Sequence, residues 1–217
     1  MRIITGKFKG RIIKMPKGIR PTQDKVRKAL FDILGDIKGM SFIELYAGSG
    51  AVGLEALSQG ASRVVFVEKD RAHVKIIKNN LSALGLGDEQ AGGLACYWLI
   101  EMDAGRAIER LQQKKEEFDI IFLDPPYYQS LAPRFGSTPL IVSRSVSKDT
   151  VSESLSKKTL KILSRCDIVS ACSLVVCQHF KKDILPESAG NLILIKQAKY
   201  GDTLLSFYRK TDSRKQV

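Results

Sequence analysis

Phe118-Asp119-Ile120-Ile121-Phe122-Leu123-Asp124-Pro125-Pro126-Tyr127 is an apolar run that stops abruptly. Ile120 to Leu123 is unbroken and reads as a buried strand. Two consecutive prolines supply no backbone donors and cannot continue a ladder, so the chain leaves the sheet at Asp124 in a stiff, extended turn. Asp124 is thereby placed at the carboxyl end of a central strand, the edge where open α/β sheets bind ligands. A carboxylate, the carbonyl of Pro125 and the ring of Tyr127 are held together there, as acceptors beside a stacking surface.

On either side of this stretch the pattern alternates between strand and helix. Upstream, Ser41–Tyr46, Arg63–Val67 and Leu94–Ile100 read as strands, and Ala51–Ser58, Arg71–Leu84 and Ala104–Gln113 as helices. Downstream comes a polar stretch to about Ser156, then a helix over Lys157–Leu163 and a strand over Ala171–Gln178. Leu192–Ala198 and Leu204–Tyr208 bracket Lys199-Tyr200-Gly201-Asp202-Thr203 as a closing antiparallel hairpin. The expectation is an α/β fold with a mostly parallel seven-stranded sheet and helices on both faces.

The N-terminus has a different character. Arg2-Ile3-Ile4-Thr5 and Arg11-Ile12-Ile13-Lys14 flank Gly6-Lys7-Phe8-Lys9-Gly10 and predict a β-hairpin on a small lobe ahead of the core. A helix follows, with Thr22 as its N-cap and Val26, Ala29, Leu30, Ile33, Leu34 and Ile37 on its buried face, leaving Arg27 and Lys28 off that face. The organisation expected is a hairpin extension over 1–20, a catalytic domain over 21–210 and a tail over 211–217.

Charge follows the same division. Residues 1–28 hold ten basic side chains against one acid, Asp24, and so carry most of the net charge of +12. Clustering of that kind points to a phosphate-backbone footprint rather than to general solubility. Arg2, Lys7, Lys9, Arg11, Lys14, Arg20 and Arg27 are the candidate nucleic-acid contacts. No signal-peptide core and no run approaching a membrane span is present, so a cytoplasmic protein is expected, acting as a monomer and away from membranes. Four cysteines without a C-x-x-C pair and two distant histidines predict no metal site.

Glu44-Leu45-Tyr46-Ala47-Gly48-Ser49-Gly50-Ala51-Val52-Gly53 follows the first core strand and opens a helix. Glycines there permit a tight turn and close approach of a ligand to bare backbone. The G-x-G-x-x-G spacing alone is shared with dinucleotide-binding dehydrogenases. The acids discriminate. Glu44, ahead of the loop, suits a ligand ammonium and repels a pyrophosphate. Glu68, ending the second strand, suits two ribose hydroxyls, and Asp103, after the third, an adenine amino group. A sulfonium cofactor bearing a free amino acid end fits these acids better than NAD does.

Taken together, acid-x-x-x-Gly-x-Gly, Glu68, Asp103-Ala104 and Asp124-Pro125-Pro126-Tyr127 resemble the class I S-adenosylmethionine-dependent methyltransferases. More specific text is found in Arg2 to Arg11, Arg20-Pro-Thr, Val26-Arg-Lys-Ala-Leu-Phe, Leu54-Glu-Ala-Leu, Gly60-Ala-Ser, Phe66-Val-Glu-Lys-Asp and Lys199-Tyr-Gly-Asp-Thr. It resembles the RsmD-type methyltransferases of small-subunit ribosomal RNA, which modify the exocyclic N2 of a guanine. The resemblance implies a Rossmann-like methyltransferase fold and S-adenosylmethionine as cofactor. It implies a cofactor site of Glu44, Tyr46, Ala47, Gly48, Ser49, Gly50, Glu68, Lys69, Asp103, Ala104 and Asp124, and a catalytic set of Asp124, Pro125, Pro126 and Tyr127. Ribosomal RNA, or the small-subunit particle, is the implied partner.

One departure stands out. The family text leads one to expect an acid before His179, where this chain has Gln178. Three alternatives remain at this point: methylation of DNA or of a protein amide, an NAD-dependent oxidoreductase, and a non-catalytic RNA-binding module. Removal of residues 1–20 is expected to spare cofactor binding while abolishing most RNA affinity.

Overall fold

The central strands carry few polar residues because helices cover both faces of the sheet, and a parallel strand in that position has no solvent side. A computed structural model describes residues 1–16, 24–86, 96–126 and 153–211. Its strands are β1 (Ser41–Leu45), β2 (Arg63–Glu68), β3 (Cys96–Glu101), β4 (Phe118–Leu123), β5 (Val169–Phe180), β6 (Ser188–Ala189), β7 (Leu192–Tyr200) and β8 (Thr203–Lys210). Its helices are α1 (Asp24–Leu34), α2 (Ala51–Ser58), α3 (Arg71–Ala83), α4 (Ala104–Gln113) and α5 (Leu155–Leu163).

The strands form one sheet in the order β3-β2-β1-β4-β5-β8-β7-β6. β1 to β5 run parallel, and β8, β7 and β6 complete the sheet antiparallel. Strand order reverses between β1 and β4, which makes the crevice at their carboxyl ends the switch point of the fold. The expected α/β architecture is therefore present, with one difference. Among the described residues the sheet has eight strands rather than seven, because Ser188–Ala189 turns through Gly190 and pairs with Leu192 and Ile193. Two residues are too few to display a period-2 pattern.

Alternation along the strands assigns each face its helices. Phe42, Phe66, Phe122 and Val176 pack with Leu30 and Phe31 of α1, Val52 and Leu54 of α2, and Ile77 and Leu81 of α3. Ile43, Leu45, Val65, Ile121 and Val175 pack with Ile108 and Leu111 of α4 and Leu160 and Leu163 of α5. Glu44 shares its side of β1 with Phe42 and so faces α2.

α2 is buried at every one of its residues, Ala51 through Ser58. A helix buried on every side needs cover on its outer face as well, and here the N-terminal segment supplies part of it. Arg2 and Ile12 form an antiparallel bridge, and Ile3 and Ile13 enter the same core as α1 and α2. Ile4 N and Thr5 N donate to Glu55 at 2.9 and 2.8 Å, while Phe8 N donates to Ser58 Oγ at 2.9 Å. Gly6 has φ +77°, and a Cβ there would stand 1.9 Å from the Ser58 carbonyl oxygen. The hairpin is thus pressed onto α2 rather than standing apart on a lobe of its own.

Candidate active site

The loop that leaves β1 is held on several sides. Tyr46 occupies the left-handed region at φ 63°, an uncommon conformation for a bulky residue, and its hydroxyl shares a 2.7 Å hydrogen bond with Thr159 Oγ1 on α5. Ala47 N donates to the Val67 carbonyl and Gly48 N to Glu68 Oε2, which fasten the loop to β2. From α3, Asn80 donates to the Ser49 carbonyl at 3.0 Å. Gly48 and Gly50 have φ 57° and 75°, and a Cβ on Gly48 would meet nothing within 4 Å. At Gly53, by contrast, a Cβ would lie 2.4 Å from the Phe66 ring. The first glycine of the motif therefore leaves an open approach, and the last lets α2 close onto β2.

The acids divide by orientation. Glu68 Oε2 accepts from Gly48 N, and its Oε1 accepts from Lys69 N and Asp70 N, at 2.8, 2.8 and 2.9 Å. A carboxylate offers about four acceptor positions, so one remains for a hydroxyl at the strand edge. Asp103 is exposed, caps α4 by accepting from Gly105 N, and follows the strand that pairs beside Glu68; Ala104 behind it is buried. Glu44 differs from its expectation. It is 4% exposed, and its carboxylate accepts from Val52 N and Gly53 N at 3.3 and 2.8 Å, in the first turn of α2. Burial pushes its pKa up to about 8, against the pull of those two amides and with the help of nearby Asp124 and Glu68. It holds the first turn of α2 from beneath the loop.

Asp124 stands where the sequence placed it. Leu123 pairs with Leu45 on one side and Cys177 on the other, so Asp124 emerges next to the Tyr46 turn and next to Gln178. Gln178 Nε2 donates to Asp124 Oδ2 at 2.8 Å. Pro125 is buried and Pro126 exposed, whereas Tyr127 lies outside the described residues. His179 is wholly buried, bonds to Ser206 Oγ at 2.8 Å, and burial lowers its pKa, which suits a strand-end hydrogen-bonding role. Cys177, also buried, has its thiol pushed well up by desolvation.

The basic segment divides as well. Arg2, Lys7, Lys9, Arg11 and Lys14 are exposed, whereas Lys17 and Arg20 lie outside the described residues. Arg27 is corrected as a nucleic-acid contact. Its side chain is 0% exposed, pairs with Glu55 at 3.3 Å and Asp24 at 3.1 Å, and donates to the Arg2 carbonyl at 2.5 Å. Helical spacing puts it off the core face, but the hairpin folds over that side of α1 and α2 and encloses it. The same packing changes what truncation would do. Removing residues 1–20 would strip Glu55 of its amide donors and uncover α2, so substitutions of single charges are the appropriate probes of RNA affinity.

Three supporting residues, Asn80, Thr159 and Glu55, are not apparent from the sequence, and of Gln178 the sequence shows the departure but not the partner. Asn80 spans two segments, accepting from Lys14 N at 2.7 Å and donating to the Lys14 and Ser49 carbonyls at 3.0 Å each. Glu55 and Gln178 leave a trace in the sequence, the first as the one charged residue of α2 and the second as a polar residue directly after the apolar run Leu174–Cys177. Among the described residues, no group of His, Cys, Asp and Glu is placed to hold a metal ion, and no helix is long and apolar enough to cross a membrane.

This arrangement has counterparts. The family model described as Conserved hypothetical protein 95 matches residues 1–144. A protein of Bacillus subtilis named putative rRNA methyltransferase YlbH is 30% identical over 213 residues, spanning 97% of this chain and 99% of its own. The ribosomal RNA small subunit methyltransferase D of Haemophilus influenzae is 36% identical over 139 residues, or 61% of this chain and 66% of that protein. Among solved structures, the putative methyltransferase yhhF from Escherichia coli superposes with a TM-score of 0.72 at 25% identity, covering 98% of this chain and 99% of that one. A glycine loop and Asp-Pro-Pro edge on a methyltransferase sheet, matched from end to end by a relative, make this chain a member of the Conserved hypothetical protein 95 family, the RsmD-type methyltransferases.

Proposed function

We propose that the protein transfers a methyl group from S-adenosylmethionine to the exocyclic N2 of a guanine in 16S ribosomal RNA. The observation that carries this reading is the position of Asp124. It stands at the switch point of the sheet, beside the glycine loop and Glu68, with its carboxylate held by Gln178. Membership of a methyltransferase family removes the nicotinamide alternative.

The edge suits the cofactor by its set of acceptors. Glu68 retains an acceptor position for ribose hydroxyls, Asp103 is exposed for an adenine amino group, and Gly48 leaves the loop approachable. Lys69 and Ala104 flank these acids; Tyr46, Ala47, Ser49 and Gly50 carry the loop itself. When bound, the cofactor supplies an electrophilic methyl group on a cationic sulfur.

A guanine amino group is a poor nucleophile because its lone pair is delocalised into the ring. Asp124 and the Pro125 carbonyl accept its hydrogens, orienting the nitrogen and favouring a tetrahedral form. Tyr127 stacks on the base, a contact worth about 1–3 kcal/mol, which offsets much of the few kcal/mol needed to unstack it. Arg2, Lys7, Lys9, Arg11 and Lys14 supply the phosphate contacts.

The test is methylation of 16S RNA and of small-subunit particles with labelled cofactor, followed by mass-spectrometric nucleoside analysis. N2-methylguanosine is the expected product; a methylated adenine or cytosine would overturn the assignment. Asp124→Ala should reduce turnover roughly a hundredfold or more while cofactor binding persists.

A further inference from the structure

β4 and β5 run parallel with Leu123 opposite Cys177, so the next residue of each strand, Asp124 and Gln178, must lie side by side. Gln178 is 4% exposed at the end of the apolar run Leu174–Cys177, a costly place for an amide unless it has a partner. Its Nε2 donates to Asp124 Oδ2 at 2.8 Å. Among the described residues, the titratable groups acting near this carboxylate include Glu44 from β1 and the Cys177 thiol from β5, both buried. Neither is a cation. Gln178 offers the carboxylate a donor that holds no negative charge of its own at any pH.

We infer that Gln178 is a positioning residue of the methyl-transfer site, fixing the rotamer of Asp124 and keeping its carboxylate an acceptor for the substrate amine. This rests on the reading of Asp124 given above. A neutral donor favours the ionised neighbour, whereas a second carboxylate at hydrogen-bonding distance would share one proton with it. Glutamate at 178 would therefore leave the acceptor blocked until the pair loses that proton. The acid limb of the rate profile must then move to higher pH. Methionine at 178 keeps most of the volume and offers no N–H, leaving Asp124 unsteered.

The experiment measures single-turnover methylation of 16S RNA across pH, with cofactor affinity by calorimetry, for the wild type, Gln178→Glu, Gln178→Met and Asp124→Ala. For Gln178→Glu the acid limb should move up by about one pH unit or more, with the rate at high pH levelling off near that of Gln178→Met, because an ionised carboxylate offers Asp124 no N–H either. For Gln178→Met the rate should fall about tenfold while cofactor affinity stays within about twofold. If Gln178→Met fails to fold, the Gln178→Glu profile decides alone. A Gln178→Glu profile superimposed on that of the wild type, with Asp124→Ala inactive, overturns this inference and leaves the site reading standing. An active Asp124→Ala protein overturns the site reading and this inference with it.

Discussion

Two buried glutamates, Glu44 on β1 and Glu55 on α2, flank the glycine loop and have opposite surroundings. Glu44 is 4% exposed and, among the described residues, accepts from the backbone amides of Val52 and Gly53, with two other acids nearby. Glu55 is 0% exposed and meets the Arg27 guanidinium, the amides of Ile4 and Thr5, and the Thr5 hydroxyl. The first holds the start of α2 under the cofactor loop, and the second binds the flank of the same helix to the basic hairpin. Burial of a carboxylate is therefore no guide to its role; the donors around it decide whether it tunes a loop or anchors a segment. One short helix thereby connects the glycine-loop side of the molecule with its basic N-terminal side.

The sharpest way to break this contrast is to remove the counter-charge on one side. Arg27→Met leaves Glu55 buried without its guanidinium and should cost about 3–5 kcal/mol, read from urea unfolding. A destabilisation below about 1 kcal/mol would mean that the backbone amides suffice. On the other side, Gly53→Ala drives a methyl group toward the Phe66 ring at 2.4 Å and toward Glu44 Oε2 at 2.9 Å. It should cost about 1–3 kcal/mol and weaken cofactor binding, whereas Arg27→Met acts mainly through global stability. Calorimetry on both variants separates the two.

The charge state of Glu44 sharpens the comparison further. Its pKa rises from 4.5 to about 8 on folding, so below 4.5 it is neutral in both states and costs nothing. Between these values the unfolded chain ionises and the folded protein resists, so stability falls as pH rises through that window. Glu44→Gln abolishes this dependence, and its unfolding midpoint relative to that of the wild type should climb steadily from pH 5 to pH 8. A constant difference between the two proteins would show that Glu44 does not titrate there. The smallest effect on the fold is expected from Lys7→Ala and Lys9→Ala, which leave the hairpin backbone on α2. Each should leave the melting temperature unchanged and lower the salt dependence of RNA binding, by roughly one unit of slope for each phosphate that is no longer neutralised.

Much of this is legible in the sequence because it is local. Strand and helix periods place β1, β2, β4 and α2 to α4 to within a few residues, and two prolines after Leu123 put Asp124 at a strand end whatever its neighbours are. Gln178, in contrast, reads only as a departure from a pattern. Its meaning depends on the register of β5 against β4, and no short-range pattern encodes parallel register. Helical periodicity misplaces Arg27 because it distinguishes only one face from the other, and does not see a third segment closing over the polar side. Glu44 is legible as an acid beneath the loop, but not as one that accepts from the first amides of α2, since that depends on α2 packing on the side of β1 it occupies.

By itself, then, the sequence determined the α/β class, the two motif-bearing strand ends, and the concentration of positive charge at the N-terminus, all of which follow from side-chain period, proline geometry and composition. Only the tertiary structure decided which acids meet solvent and which meet amides, that Arg27 is an anchor, and that Asn80 joins the basic segment to the glycine loop. The physical reason is that a buried polar group takes its role from partners far along the chain, and those partners are chosen by packing.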